Sequence, residues 1–172
     1  ERFYEEQTGK KFLRVKPMDK VREELLYYRD AWKAEYFYFW ADTFLAWSEK
    51  QFDVFCYMYA YIRMPFWIQT RPETLTDYRV RRLKEIGLHR VACGIEHGNE
   101  KFRRETVDRR MKNEDLVKWL GILNDVGVPY SVNNIIGGFR YSFLSAVYAG
   151  YIGLLLFGVY QKYDDVRSDI VL

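Results

Sequence analysis

The chain has 172 residues, enough for one domain and fewer than the about 200 that a complete eight-stranded β/α barrel needs. The net charge of +3, with 30% charged residues and no basic block, gives no electrostatic argument for a nucleic-acid partner. Cys56 and Cys93 are the only two cysteines, and their separation excludes a closely spaced metal-ligand motif and favours a reduced, cytoplasmic protein.

The first predicted elements are a helix over residues 19–33 and an aromatic strand over Tyr36–Trp40. Apolar positions recur in the helix at helical spacing, at Val21, Leu25, Tyr28 and Trp32. Asp19 is the expected N-cap of this helix. The aromatic residues up to Phe44 allow two interpretations, namely packing in the core and sheet, or stacking on a nucleobase or another large ring.

A second helix, a second strand and a third helix follow. Ser48 and Gln51 form a capping-box pattern that predicts the start of the second helix. The apolar positions of that helix are Phe52, Phe55, Cys56, Tyr59 and Ile62. Residues 66–71 have the pattern of a strand, Thr76 is the expected N-cap of the third helix, and Gly87 is expected to end it.

The third strand, over residues 90–96, alternates between two faces. One face has Val91, Cys93 and Ile95, and the other has Ala92, Gly94 and Glu96. The apolar face is expected to pack under helices, and the face of small and polar residues leaves room for a ligand. Helices are then predicted over 100–110 and 113–126, the second ending at Gly127, with a fourth strand over 129–137.

Strands and helices therefore alternate, which predicts an α/β fold with a parallel sheet and right-handed crossovers. Polar side chains follow each predicted strand: Asp42, then Gln69 and Arg71, then Glu96, then Asn133 and Asn134. Because parallel strands place their carboxyl ends at one edge, these groups are expected to surround one ligand site. Any one of these residues taken alone is more often a helix cap or a salt bridge, whereas four in register favour a ligand site. No nucleophile–base set, metal motif or phosphate loop is present.

Four sequence segments in this order resemble one enzyme family. They are ADTF at 41–44, PFWIQTRPETLT at 65–76, RVACGIEHGNEKFRRETVDRR at 90–110 and VPYSVNNIIG at 128–137. Together they resemble strands two to five of the radical S-adenosylmethionine (radical SAM) enzymes, in particular the cobalamin-associated branch. The resemblance covers residues 1–138 and implies a partial radical SAM barrel with outer helices.

The resemblance also implies roles for particular residues. Ala41 and Asp42 correspond to the position that holds the methionine amino group of S-adenosylmethionine. Gln69 and Glu96 correspond to residues near the ribose and the methionine, and Arg109 to a helix-end arginine that pairs with the methionine carboxylate. Asn133 corresponds to a ribose ligand, while Ile135 and Gly137 are expected to line the adenine.

Two departures from the family pattern stand out. The family holds a [4Fe-4S] cluster through CxxxCxxC, and that motif is absent from this sequence. Residues 1–18 resemble the segment just downstream of the motif, so we expect a longer parent protein in which an upstream segment supplies it. After the fifth strand the family has a Pro and an acidic residue, whereas this chain has Phe139 and Arg140.

The expected parent enzyme would cleave S-adenosylmethionine reductively at the cluster to start radical chemistry, such as cobalamin-dependent methyl transfer or cyclisation. Cobalamin would be bound by a separate domain. The expected partners are a small-molecule substrate and an electron donor such as flavodoxin or ferredoxin. This chain alone is expected to be inactive. The alternative is a non-catalytic α/β binding module.

Residues 139–172 have a different character, because Tyr141 to Tyr160 contain no charged side chain. Three interpretations remain open for this stretch. It is an altered or out-of-frame sequence, a membrane segment, or a buried strand and helix of the barrel. If it is a membrane segment, the alternative function becomes that of a membrane-anchored binding protein.

Overall fold

A computed structural model describes residues 6–7, 9 and 15–135 of the chain. Helices α1 to α5 span Met18–Asp30, Glu49–Tyr59, Asp77–Glu85, Glu100–Thr106 and Asn113–Val126. Strands β1 to β4 span Phe37–Phe39, Phe66–Thr70, Leu88–Glu96 and Tyr130–Asn134. A short 3₁₀ turn, Pro72–Thr74, follows β2. The predicted tail at 139–172, with its possible membrane segment at 141–160, lies outside the described residues, as does Gly137.

The four described strands form one parallel sheet in the order β1-β2-β3-β4. Each strand lies beside the next one in the sequence, which is the arrangement of a partial β/α barrel. Gln69 pairs in register with Ala92, and Gly94 pairs with Asn133. The predicted α/β fold with parallel strands and outer helices is confirmed, and the carboxyl ends of the strands meet at one edge.

The main core lies between the sheet and its helices. Alternate strand residues face it, among them Phe37, Phe66, Ile68, Val91 and Cys93. The ring of Phe39 meets those of Phe44, Phe55, Tyr59 and Phe66 at centroid distances of 5.3–5.8 Å. The aromatic stretch after residue 35 therefore divides between two environments, since Phe37 and Phe39 contribute to the core while Tyr36, Tyr38 and Trp40 are exposed.

Several predicted helix ends are confirmed. Ser48 and Gln51 make both bonds of a capping box, and the Thr76 hydroxyl accepts the amide of Arg79. Gly87 and Gly127 have positive φ angles of 114° and 69°, as expected for residues that end helices.

The first helix differs from the prediction. Pro17, not Asp19, occupies its N-cap, and Asp19 lies in the first helical turn. Leu25 is buried, whereas Tyr28 and Trp32 are 44% and 70% exposed, so the expected apolar face is only partly covered among the described residues. No helix in the described part of the chain is long and apolar enough to cross a membrane.

The helix predicted over 100–110 was too long. α4 ends at Thr106, and Asp108 then adopts a left-handed conformation with φ 51°, which a continuing α-helix does not permit. Arg109 therefore lies in the connection between α4 and α5 and not at a helix end. β4 is also shorter than the predicted 129–137, because it ends at Asn134.

Candidate ligand site at the carboxyl edge of the sheet

The carboxyl end of β3 carries the charged part of the candidate site. Glu96 ends the strand with φ 67°, and the register between β3 and β4 shifts between Gly94 and Glu96. Its carboxylate turns back over Gly94, where a Cβ would lie only 2.6 Å from Glu96 Oε1. The missing side chain at Gly94 therefore makes the space that this carboxylate uses.

Arg109 is the partner of Glu96. Its Nη2 lies 3.4 Å from Glu96 Oε1, and the two side chains are 23% and 19% exposed. Arg109 Nη1 is buried and has no hydrogen-bond partner among the described residues. Buried polar atoms in folded proteins are normally paired, so this donor fits an acceptor from a ligand. The face of β3 that carries Glu96 was expected to leave room for a ligand, and the Glu96 carboxylate on that face is held in this ion pair.

The neighbouring strands bring further predicted residues to the same edge. The backbone amide of Ile135 donates to the carbonyl of Glu96 at 2.7 Å, which places Ile135 beside the charged pair, 49% exposed. Asn134 Oδ1 is buried without a partner among the described residues. Asn133 shares the face of Gly94 and is exposed.

The β1–β2 half of the edge is built differently. Gln69 Oε1 accepts a hydrogen bond from the hydroxyl of Tyr38 at 3.2 Å, and the Tyr38 ring stacks on Trp67 with a centroid distance of 4.5 Å. Ala41 is half-buried and Asp42 is exposed, both in the turn after β1. The structure therefore places Gln69 in β2, and Ala41 and Asp42 after β1, on the same edge of the sheet as Glu96 at the end of β3.

Arg71 is engaged locally. It follows β2 and forms an ion pair with Glu73 in the 3₁₀ turn. Arg71 Nε and Glu73 Oε2 are nevertheless buried without hydrogen-bond partners among the described residues. Arg71 and Glu73 therefore follow the carboxyl end of β2, on the same edge of the sheet as the ends of β3 and β4.

The cysteines do not belong to this site. Cys56 and Cys93 are both free and buried in the core, and burial raises the pKa of each thiol to about 12. A metal-bound cysteine is a thiolate, so neither environment suits a ligand. Within the described residues, no group of three or more His, Cys, Asp and Glu side chains could hold a metal ion. The described residues therefore do not fit a [4Fe-4S] cluster.

Two buried polar residues next to the site were not predicted from the sequence, namely Arg103 and His97, which are 0% and 2% exposed. His97 Nδ1 accepts a hydrogen bond from the backbone amide of Asn99 at 3.0 Å, which requires that Nδ1 carry no proton. Burial and the nearby Arg103 charge lower the pKa of His97. Arg103 stands in a run of charged residues that resembles a solvated helix face, so no sequence signal marked it as buried.

A parallel βα sheet with polar groups at its carboxyl edge defines a class of protein, the α/β proteins, in which ligands are commonly bound at that edge. The family follows from the sequence. The sequence profile of the Radical SAM superfamily matches residues 3–143, so the chain belongs to this superfamily. No curated protein sequence matched the chain.

A solved structure shares the fold. It is the cobalamin-dependent S-adenosylmethionine radical enzyme OxsB, determined with aqua-cobalamin and S-adenosylmethionine bound. The TM-score is 0.60 at 14% sequence identity, and the match covers 76% of this chain. The chain spans 22% of the length of that enzyme.

Proposed function

We propose that this chain forms part of the S-adenosylmethionine site of a longer radical SAM enzyme of the cobalamin-associated branch. The observation that carries the proposal is the Glu96–Arg109 pair, whose Arg109 Nη1 has no hydrogen-bond partner among the described residues, at the edge where α/β enzymes bind ligands. Membership of the superfamily and the shared fold with a cobalamin-dependent enzyme support it.

The proposed roles follow the chemistry of each side chain. Arg109 would bind the methionine carboxylate, because a guanidinium donates two parallel hydrogen bonds to a carboxylate. Glu96 would accept hydrogen bonds from the ribose or the methionine amino group. Asp42 and Gln69, with the backbone at Ala41, would complete the methionine and ribose contacts.

The remaining predicted contacts concern the adenosine half. Asn133 would bind the ribose, and Ile135 would contact the adenine together with Gly137. S-adenosylmethionine bound there would supply, on one-electron reduction and cleavage to methionine, the 5′-deoxyadenosyl radical that abstracts hydrogen from the substrate. The described residues orient that ligand, and they offer no ligand set for the cluster, which an upstream CxxxCxxC segment would have to provide.

The proposal extends to partners and compartment. A small-molecule substrate, cobalamin on a separate domain, and an electron donor such as flavodoxin or ferredoxin are the expected partners of the longer enzyme. The free state of both described cysteines fits a reducing cytoplasm. Methyl transfer and cyclisation are the two candidate reaction types.

Equilibrium binding of S-adenosylmethionine to the full-length protein tests the site. Glu96→Gln should weaken binding about tenfold, equivalent to about 1.4 kcal/mol, with a nearly unchanged melting temperature. Arg109→Lys should lose binding nearly as badly as Arg109→Ala, because a point charge does not replace a bidentate fork.

The matched control is Arg104→Ala, since Arg104 is a neighbouring arginine with a side chain 60% exposed and should not affect binding. A large drop in melting temperature with unaltered binding in the Glu96 and Arg109 variants would make the pair structural. Absence of S-adenosylmethionine binding in the wild-type protein would instead favour a non-catalytic α/β binding module.

A further inference from the structure

The connection between β3 and α5 is organised around one buried arginine. We call residues 97–113 the Arg103 loop, which includes α4. Arg103 is fully buried, and no salt bridge to a carboxylate holds its guanidinium among the described residues. Burial of such a charge is unfavourable unless hydrogen bonds compensate it. The groups that accept hydrogen bonds from the guanidinium therefore indicate the structural role of Arg103.

The guanidinium joins the two ends of the loop. Arg103 Nη1 donates to the carbonyl of His97 at 2.5 Å, directly after β3. Arg103 Nη2 donates to the carbonyl of Met111 at 2.9 Å and to Asn113 Oδ1 at 2.6 Å, directly before and at the start of α5. The planar fork of an arginine can reach both ends at once, whereas a lysine ammonium is a compact point charge.

The same loop carries Arg109. The backbone amide of Arg109 donates to the carbonyl of Arg103 at 2.8 Å, so residue 103 is bonded to it through its main chain as well. The left-handed conformation of Asp108 then directs the chain so that Arg109 Nη2 comes within 3.4 Å of Glu96 Oε1. Glu96 itself precedes His97, whose carbonyl Arg103 holds. Both members of the pair are thus attached to backbone that Arg103 bonds.

We propose that Arg103 is a positioning residue for the ligand site, which sets the placement of Arg109 relative to Glu96 and thereby the affinity for the carboxylate of S-adenosylmethionine. This inference rests on the proposed function for the identity of the ligand. The positioning of Arg109 by Arg103 involves residues of this chain alone and does not depend on which ligand binds.

A double-mutant cycle in the full-length protein separates positioning from general destabilisation. Arg103→Lys should weaken S-adenosylmethionine binding about tenfold when Arg109 is present, and less than about twofold in the Arg109→Ala background. The loss of melting temperature from Arg103→Lys should be the same in both backgrounds. Equal losses of affinity in the two backgrounds would overturn the proposal.

Amide hydrogen exchange tests the positioning without a ligand. Exchange of the Arg109 amide should accelerate at least about tenfold in Arg103→Lys, while amides of α2 stay protected. Asn113→Ala, which removes one of the three acceptors but keeps the guanidinium, should give the same pattern at smaller size. Unchanged exchange at Arg109 in both variants would overturn the proposal.

Tyr59→Phe is the control variant. The Tyr59 hydroxyl donates to the carbonyl of Met64 at 3.1 Å, near the amino ends of the strands, so its loss should lower stability and leave both readouts unchanged. If the wild-type protein binds no S-adenosylmethionine while Arg103→Lys still releases the Arg109 amide, the proposed function fails and the positioning stands.

Discussion

The two ends of the sheet satisfy their polar groups to different degrees. At the amino ends, backbone bonds join the start of one strand to the residue before the next, as between the Phe37 amide and the Pro65 carbonyl, and between the Phe66 amide and the Gly87 carbonyl, both at 3.1 Å. At the carboxyl ends, several buried polar atoms lack partners among the described residues: Arg71 Nε, Glu73 Oε2, Arg109 Nη1 and Asn134 Oδ1. Trp67 Nε1, on a residue nearer the amino ends, and Arg103 Nε, inside the Arg103 loop, also lack partners among the described residues.

This difference separates stability from function. An unpaired buried polar atom destabilises the folded chain by roughly 1–3 kcal/mol, so folding alone does not explain its presence. A ligand at the carboxyl edge would supply the missing partners. Substitutions at the amino end should therefore change stability, and substitutions at the carboxyl end should change binding.

Gly87→Ala should have the largest effect, and on stability alone. Gly87 has φ 114°, and a Cβ there would lie 2.7 Å from the carbonyl oxygen of Met64. Both the strained conformation and the contact with backbone oppose any side chain, so we expect a loss of about 2–3 kcal/mol. Chemical denaturation measures it.

Gly121→Ala is the matched control for that change. Gly121 lies inside α5, and a Cβ at this position would have no heavy atom within 4 Å. Alanine is the better helix former, so this variant should gain about 0.5–1 kcal/mol. If both glycine variants lost stability equally, the loss in Gly87→Ala could not be attributed to the positive φ of Gly87 and its close contact with the Met64 carbonyl.

Gly94→Ala should act in the opposite way, on binding more than on stability. The new Cβ would lie 2.6 Å from Glu96 Oε1, so it would displace this flexible carboxylate and disturb its pair with Arg109. We expect about a tenfold loss of S-adenosylmethionine affinity with a change in stability below about 0.5 kcal/mol. Titration calorimetry and thermal melting on the same sample decide the outcome, and intact affinity would show that the carboxylate position is irrelevant to binding.

The smallest predicted effect is a dependence on pH. Burial, assisted by the Arg103 charge, lowers the pKa of His97 below its ordinary value of 6.5. The unfolded chain therefore binds this proton more readily, and stability that is present above pH 6.5 is lost as the pH falls through the folded-state pKa.

Melting temperatures at about pH 7.5 and about pH 5 measure this component. His97→Gln, whose amide oxygen can replace Nδ1 as an acceptor, should reduce the fall in melting temperature toward acid. His89→Gln changes the exposed histidine of β3 and should leave that fall as it is. Equal falls in melting temperature in wild type and His97→Gln would show that His97 does not cause the loss of stability in acid.

Local patterns predicted the parts of the fold that depend on local chemistry. The capping box at Ser48, the cap at Thr76 and the glycine stops at Gly87 and Gly127 are each set by residues close in sequence, and all are confirmed. The buried face of β3 also followed from alternation, with Val91 and Cys93 in the core.

The shape of the Arg103 loop could not be predicted from local sequence patterns. Charged residues from 100 to 110 have the composition of an exposed helix, which led to a helix four residues too long. The helix ends at Thr106. The side chain of Arg103, in the middle of the loop, bonds the carbonyls of His97 and Met111 near the two ends of the loop. Such bonds depend on the folded loop and leave no periodic signal in the sequence.

Formation of 5′-deoxyadenosine by the full-length protein tests the central claim most directly. After anaerobic reconstitution, and with a strong reductant, wild type should turn brown and cleave S-adenosylmethionine. Arg109→Ala should keep the colour and lose most of the cleavage, whereas the 172-residue chain alone should hold no stable cluster. Stoichiometric iron and sulfide in that chain, a colourless full-length protein, or full cleavage by Arg109→Ala would contradict the account.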